Sequence, residues 1–266
     1  MNGHQKLYYP KKYWNNRLKE HCNLEGVGCL GLGGLFNTYV YKAKVRTLRR
    51  IAKRLGISFQ RKEILDVGSG IGFWIDYYIS NGGKRIFGVD ISSEAVQYLR
   101  RKYANQNMVK VFEGDFSTLD FGKVFDFVSA FDVSYHVVDD NLWRNFIENL
   151  CKHTKNHGFI FISDTFRKDY RDKITHVKFR PLTAYERIFR KNGVKIVDVV
   201  PIYSVLGWPF TGRQKIDKLL TIVYVLLTYT CRISKALTIF AYHVDSLLTH
   251  FKLFGISTKL LIAQKR

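Results

Sequence analysis

The chain is short of cysteine, of acidic residues and of long apolar runs, and each shortage excludes something. Its four cysteines (Cys22, Cys29, Cys151 and Cys231) are scattered along 266 residues without a disulfide framework. A reduced, intracellular protein is therefore expected. Cys22 and Cys29 stand near His21, but no second ligand pair follows at zinc spacing, so no metal site is expected. The opening residues MNGHQKLYYP contain no apolar stretch of the kind a secretion signal requires. Apolar runs stay below the ~20 residues needed to cross a bilayer. Asp and Glu together number 22 against 43 Lys and Arg, a net charge of +21. No internal repeat and no low-complexity linker interrupts the chain.

Hydrophobic residues make up 46% of the chain and aromatics 15%, which excludes a disordered protein. The length suits one domain with an appendage. The basic excess is confined to the flanks. Residues 1–62 carry 14 Lys and Arg against 2 Asp and Glu, and residues 166–266 carry 19 against 6. Residues 63–165 are slightly acidic, with 10 against 14. Such flanks attract a polyanion, whether nucleic acid, anionic lipid or a phosphorylated substrate.

The most informative stretch is Glu63–Gly72, EILDVGSGIG. Ile64, Leu65 and Val67 suit a strand buried on both faces of a parallel sheet. Asp66 lies near the end of that strand, where open α/β sheets place ligands. Gly68, Gly70 and Gly72 follow at alternate positions, with Ser69 between the first two, and Phe73–Ile79 has helical spacing. Gly26–Gly31 also fits G-x-G-x-x-G, but the polar His21–Glu25 before it makes no strand. A flexible loop ahead of a helix is the expected reading there.

Alternate glycines after an "LD" strand resemble the first motif of the class I S-adenosylmethionine (SAM) methyltransferases. That resemblance implies SAM as cofactor, its methionine end held by Asp66, Gly68, Ser69, Gly70 and Gly72. Later segments agree in order. Arg85–Val89 reads as the second strand and ends at Asp90, followed by Ile91. In the family this acid takes the ribose hydroxyls. Ser92 or Ser93 then caps the helix Glu94–Tyr103. After a third strand, Met108–Glu113, Gly114-Asp115-Phe116 resembles the motif in which the acid meets the adenine amino group and the next residue lies along the ring. An Asp115 that merely caps a turn is the alternative. Ahead of the core, Tyr13, Trp14 and Arg17 resemble the "YW..R"-like segment that folds over SAM, which implies Trp14 covering it and Arg17 pairing with its carboxylate; an aromatic helix packed on the core with a solvated arginine is the alternative.

Val124–Phe131 reads as the fourth strand, with Asp132-Val133-Ser134-Tyr135-His136 at its carboxyl end, where the fold places its catalytic residues. No proline occurs in Asp126–Asp140. The Asp/Asn-Pro-Pro-aromatic motif of base-amine methyltransferases is therefore absent, as are a Pro-Cys nucleophile and the paired glutamates of arginine methyltransferases. The remaining FDVSYHVVDD resembles small-molecule and glycan O-methyltransferases. His136 has a suitable intrinsic pKa to act as the general base; a positioned or structural histidine is the alternative. Asp132 joins it as a catalytic candidate, and Tyr135 shapes the acceptor pocket. Asp139 and Asp140 are expected to cap the helix Asn141–Lys152.

A turn at Asn156–Gly158 precedes the fifth strand, Gly158–Ser163, closed by Asp164. The connection Thr165–Arg180 then carries Arg167, Lys168, Arg171, Lys173, His176, Lys178 and Arg180. Asp164, His176 and Arg180 are candidate substrate ligands, and an anionic acceptor would suit the cations; a solvated basic loop is the alternative. Leu182–Asn192 reads as a helix, Val194–Tyr203 as the sixth strand and Ser257–Lys265 as an antiparallel last strand. Val40–Leu55 has the spacing of an amphipathic helix laid on the sheet.

The expected fold is α/β, doubly wound, with a seven-stranded, mostly parallel sheet. Its parts are an N-terminal helical cap (1–45), the SAM-binding core (46–203), a helical insertion (204–256) and the last strand (257–266). The insertion contains thirteen uncharged residues between Lys218 and Arg232 and a second apolar stretch, Ala236–Leu248, broken by His243 and Asp245. A helical hairpin follows, able to pack on its own domain, dimerise or dock on a membrane. The acceptor is expected to be a small molecule, saccharide or lipid-linked intermediate, handled in the cytoplasm or at the inner face of a membrane. Two other readings stay open: an RNA methyltransferase using the basic flanks, though no RNA-binding module is recognisable, and a non-catalytic subunit that binds a partner.

Overall fold

Ile64, Leu65 and Val67 are buried in the strand β1 (Glu63–Val67), at the centre of the sheet. A computed structural model describes residues 8–167, 176–209, 211, 213–251 and 257–266. Lys168, Arg171, Lys173 and Lys252 lie outside the described residues. The remaining strands are β2 (Arg85–Asp90), β3 (Val109–Glu113), β4 (Phe125–Phe131), β5 (Thr154–Asp164), β6 (Val194–Pro201) and β7 (Lys259–Lys265). They form one seven-stranded sheet in the order β3-β2-β1-β4-β5-β7-β6, parallel from β3 to β5 and with β7 antiparallel. The order reverses between β1 and β4, and the crevice at such a switch point is where open α/β sheets bind ligands.

The helices are α1 (Pro10–Glu20), α2 (Gly33–Leu55), α3 (Phe73–Ser80), α4 (Ser93–Lys102), α5 (Asp140–Lys152), α6 (Leu182–Lys191), α7 (Gln214–Ile233) and α8 (Lys235–His250). The chain divides into two compact units, one of Met1–Glu20, Phe59–Asp198 and Leu261–Arg266, the other of His21–Ser58 and Val199–Leu260. This division differs from the expected boundaries: α1 groups with the unit that holds β1–β5, while α2 groups with the α7–α8 hairpin.

In the first unit the local signals act as read. Ser92 caps α4, its hydroxyl accepting the Ala95 amide at 3.3 Å, and Asp139 caps α5 by accepting the amides of Asn141 and Leu142 at 2.8 and 2.9 Å. The turn expected at Asn156–Gly158 is a correction. Those residues lie inside β5, where His157 takes a φ of 64°. The β4–β5 register runs from Phe125↔Thr154 to Phe127↔Phe159, so the extra residues bulge out of a continuing strand.

In the second unit two expectations change. The glycine loop is organised rather than flexible. The buried Asn37 side chain accepts the Cys29 amide at 2.7 Å and donates to the Cys29 and Gly33 carbonyls at 3.0 and 2.9 Å. Glu25 accepts the amides of Gly31 and Gly33. These bonds let α2 begin at Gly33 instead of Val40. Within the unit, α2 packs on α7 and α8.

Asp245, which breaks an apolar run in the sequence, is the anchor of this unit. It is fully buried, and Oδ1 accepts the backbone N–H groups of Ser204, Val205 and Leu206 at 2.7, 2.8 and 3.1 Å. Its other oxygen pairs with Arg46 of α2 at 2.9 Å. Removing one partner of such a buried pair leaves a charge and several donors without compensation. Asp245→Ala is expected to lower unfolding free energy by about 3 kcal/mol or more in urea titration. A loss below about 1 kcal/mol, the scale of a surface ion pair, would show that the anchor carries little.

Candidate active site

Parallel register places Asp66 between Gly88 of β2 and Ser129 of β4. Asp66 is 1% exposed, and Oδ1 accepts the Ser129 hydroxyl at 2.9 Å. Its Oδ2 is buried with no hydrogen-bond partner. Burial, assisted by the nearby Asp90 charge and opposed by the hydroxyl bonds, pushes the Asp66 carboxyl up to about 7. Directly after it the chain turns through Gly68, Gly70 and Gly72, all at positive φ. A Cβ on Gly68 would overlap Val133 Cγ2, so the loop approaches the end of β4 more closely than any side chain would allow.

Asp90 ties this loop to β2. Its Oδ2 accepts the Gly70 amide at 2.8 Å and its Oδ1 the Ser92 amide at 2.9 Å. Burial raises its pKa, and the backbone amides of Ser92, Gly70 and Ile91 oppose the rise. Ser92 also donates to Asn15 of α1 at 2.8 Å, which brings the N-terminal helix over this edge.

The end of β4 is unusual in its backbone. Asp132 has a φ of 59°, a left-handed conformation costly outside glycine. Ser163 of β5 holds it on both sides, accepting the Asp132 amide and donating to its carboxylate, each at 2.7 Å. A short 3₁₀ turn, Ser134–His136, follows. His136 Nδ1 lies 2.9 Å from the His176 carbonyl oxygen. A carbonyl only accepts, so Nδ1 carries the proton and Nε2 keeps its lone pair in the neutral ring. Burial holds His136 down at about 4, with the positive charge of Arg17 acting in the same direction and the His176 carbonyl opposing.

Aromatic rings surround this histidine. Trp14 meets it edge-on with centroids 5.0 Å apart, Tyr135 lies at 4.5 Å, and His176 stacks in parallel at 5.8 Å. Tyr13 stacks on His176 at 4.9 Å. Arg17 lies over the Trp14 ring, 5.2 Å from its centroid, and donates to the Tyr13 hydroxyl at 3.0 Å. The structure therefore brings Trp14, Arg17, Tyr135, His136 and His176 together.

Other expected ligands are engaged elsewhere. Asp164 is fully buried and accepts from Ser134, Tyr185 and the Thr165 amide. Arg180 is buried against Trp143, pairs with Asp140 at 2.9 Å and donates to the Val138, Asp139 and Lys178 carbonyls. Both serve as internal braces, so among the described residues neither presents a polar group to an acceptor. Lys178 also pairs with Asp140, at 2.9 Å. Asp115 caps its own turn by accepting the Ser117 amide at 2.8 Å. The Phe116 ring is buried against Phe146 and His153 rather than standing along the sheet edge. Among the described residues, no cluster of His, Cys, Asp or Glu could hold a metal ion.

Several residues escaped sequence reading. Ser129 and Ser163 are single serines in apolar strands, and only strand register shows that they face Asp66 and Asp132. Asn15 carries no motif. Tyr103, whose hydroxyl contacts the Gly72 carbonyl at 3.0 Å and Asp76 at 2.7 Å, looked like the end of a helix.

Comparison with known proteins supports the same assignment. Residues 64–158 match a family described as a methyltransferase domain. No curated protein is similar enough to count as a match. Among solved structures, the N-methyltransferase NodS from Bradyrhizobium japonicum WM9 is 13% identical, with 86% of this chain and 97% of that chain covered at a TM-score of 0.54. The StiE O-MT domain is 18% identical, with 83% and 73% covered at 0.54. The [4+2]-cyclase SpnF is 16% identical, with 83% and 80% covered at 0.53. At these identities the likeness is one of fold. Residues 64–158 thus carry a methyltransferase domain on the Rossmann-like fold that SAM-dependent methyltransferases share, a family whose cofactor is SAM.

Proposed function

We propose that the protein methylates an oxygen of a small-molecule, saccharide or lipid-linked acceptor, with His136 as general base. The observation that carries this reading is the pinned tautomer of His136. Its Nδ1–H is committed to the His176 carbonyl, so Nε2 can receive a proton at the end of β4. A base of low pKa suffices for this reaction. An oxygen becomes strongly acidic as it acquires a methyl group, so its proton passes readily to a weak, correctly placed acceptor. Asp132 acts as a positioning residue, fixing the turn that presents Tyr135 and His136. Trp14, Tyr135 and His176 wall the acceptor space and exclude water.

The cofactor residues fit the group the family uses. Asp66 Oδ2 is a buried anionic atom without a donor, a match for the α-ammonium of SAM. Gly68, Ser69, Gly70 and Gly72 let that end approach the backbone. Asp90 has lone pairs left for ribose hydroxyls beyond the two amides it accepts, with Ile91 beside it, and Asp115 can take the adenine amino group. Phe116 contributes by anchoring the Asp115 turn. In this reading Arg17 pairs with the carboxylate. When bound, SAM supplies an electrophilic methyl group whose leaving thioether needs no acid.

Two measurements test the assignment. Asp66 must be ionised to receive an ammonium, and its free-enzyme pKa is about 7. SAM affinity by calorimetry should therefore fall about tenfold per unit as pH drops below that value. Asp66→Asn should bind weakly and without this dependence; a wild-type affinity flat from about pH 7.5 to about 5.5 would contradict the role. For His136→Ala, SAM affinity should be unchanged and kcat should fall ~100-fold or more. Because neutral His136 persists down to about pH 4, kcat at saturating SAM should show no loss centred near the ordinary histidine value of about 6.5. Acceptors can be found by transferring labelled methyl from SAM into cell extract. Ribonuclease-sensitive label would replace this reading with RNA methylation.

A further inference from the structure

The α7–α8 hairpin is turned inside out. Its buried residues include Asp217, Thr228, Cys231, Thr238, Asp245 and Thr249. Its exposed residues on α7 include Leu219, Ile222, Val223, Leu226, Tyr229 and Ile233, at helical spacings of three and four. On α8, Leu237, Phe240 and Leu247 continue the pattern. Leu226 is 63% exposed and Phe240 67%. A helix facing water presents the opposite arrangement, charged outside and apolar within.

Charge identifies the occupant of this face. Between residues 204 and 256 the sequence holds two carboxylates, Asp217 and Asp245, and both are buried. Asp217 is occupied by the Thr211 amide and hydroxyl, and Asp245 by Arg46 and three amides. Every charged side chain exposed on the described hairpin is basic: Arg213, Lys215 and Lys218 at one end of α7, and Arg232 and Lys235 at the other. A second copy packed hairpin to hairpin would offer those cations no exposed anion and would add its own charge of +21. An anionic bilayer supplies both an apolar layer and negative charge. No described helix is long and apolar enough to cross a membrane, and cations at both ends of α7 suit a helix lying in the plane.

We propose that the hairpin docks flat on an anionic lipid surface, with Leu219, Leu226, Tyr229 and Phe240 sunk below the headgroups and the terminal cations among the phosphates. This does not depend on the acceptor, nor on the assignment of His136. The test is co-sedimentation of the full chain with phosphatidylcholine vesicles, with and without about 30% phosphatidylglycerol. Expected is binding that requires the anionic lipid and is weakened by salt without being abolished, because the apolar contact is not screened. Leu226→Glu combined with Phe240→Glu should lower partitioning at least tenfold. SAM affinity and the melting temperature should stay unchanged, since both positions are exposed. Lys215→Glu with Lys218→Glu should lower partitioning to anionic vesicles severalfold.

Absence of binding to anionic vesicles would overturn the proposal. So would binding that the Leu226/Phe240 variant retains. Sedimentation velocity provides the remaining arm: a dimer abolished by that variant, with no vesicle binding, would assign the face to a second copy instead.

Discussion

The Asp90 carboxylate accepts one amide from the glycine loop and one from the start of α4. These two bonds join three segments that meet at the edge of the sheet. They orient the loop after β1, terminate β2 and set the N-terminus of α4, whose cap Ser92 also receives α1 through Asn15. The loop in turn carries Gly68, which must lack a Cβ because Val133 occupies the space. Val133 begins the turn that ends in His136. One buried carboxylate therefore couples the glycine loop after β1 to the turn after β4.

That arrangement concentrates buried carboxylates. Asp66, Asp90 and Asp164 are all raised in pKa, with burial as the largest cause in each. Asp90 and Asp164 are compensated by several donors, whereas Asp66 keeps one oxygen without any. A buried polar atom without a hydrogen-bond partner costs free energy, and a cationic donor at that oxygen would offset the cost.

The second unit solves a different problem. Its α7–α8 hairpin buries carboxylates and threonine hydroxyls, while Leu219, Leu226, Leu237, Phe240 and Leu247 of the same hairpin face outward. Thr238 and Thr249 donate to backbone carbonyls within or between the two helices, which satisfies their hydroxyls in the interior. The Asp245–Arg46 pair binds α8 to α2, and the Ser204–Leu206 amides add the segment after β6. Polar anchoring frees the apolar surface for an external partner. The chain thus combines a methyltransferase core of nearly balanced charge with a basic, apolar appendage.

Much of the core could be read from local sequence. Strands β1, β2 and β4 are short apolar runs, the alternating glycines can serve few backbone shapes, and caps such as Ser92 and Asp139 act within three residues. These signals are short-range, so spacing indicated the strands, the caps and the approximate order of elements, while the resemblance of the glycine loop to SAM methyltransferases implied the cofactor. The partners of Asp164 and Arg180, the bulge at His157, the tautomer of His136 and the grouping of α2 with the hairpin were decided only by tertiary structure. Each depends on residues far apart in sequence, brought together by strand register or helix packing. Asp245 shows the reason most clearly. In the sequence it interrupts an apolar helix, and only the arrival of Arg46 and the amides after β6 makes that interruption the interior of the unit.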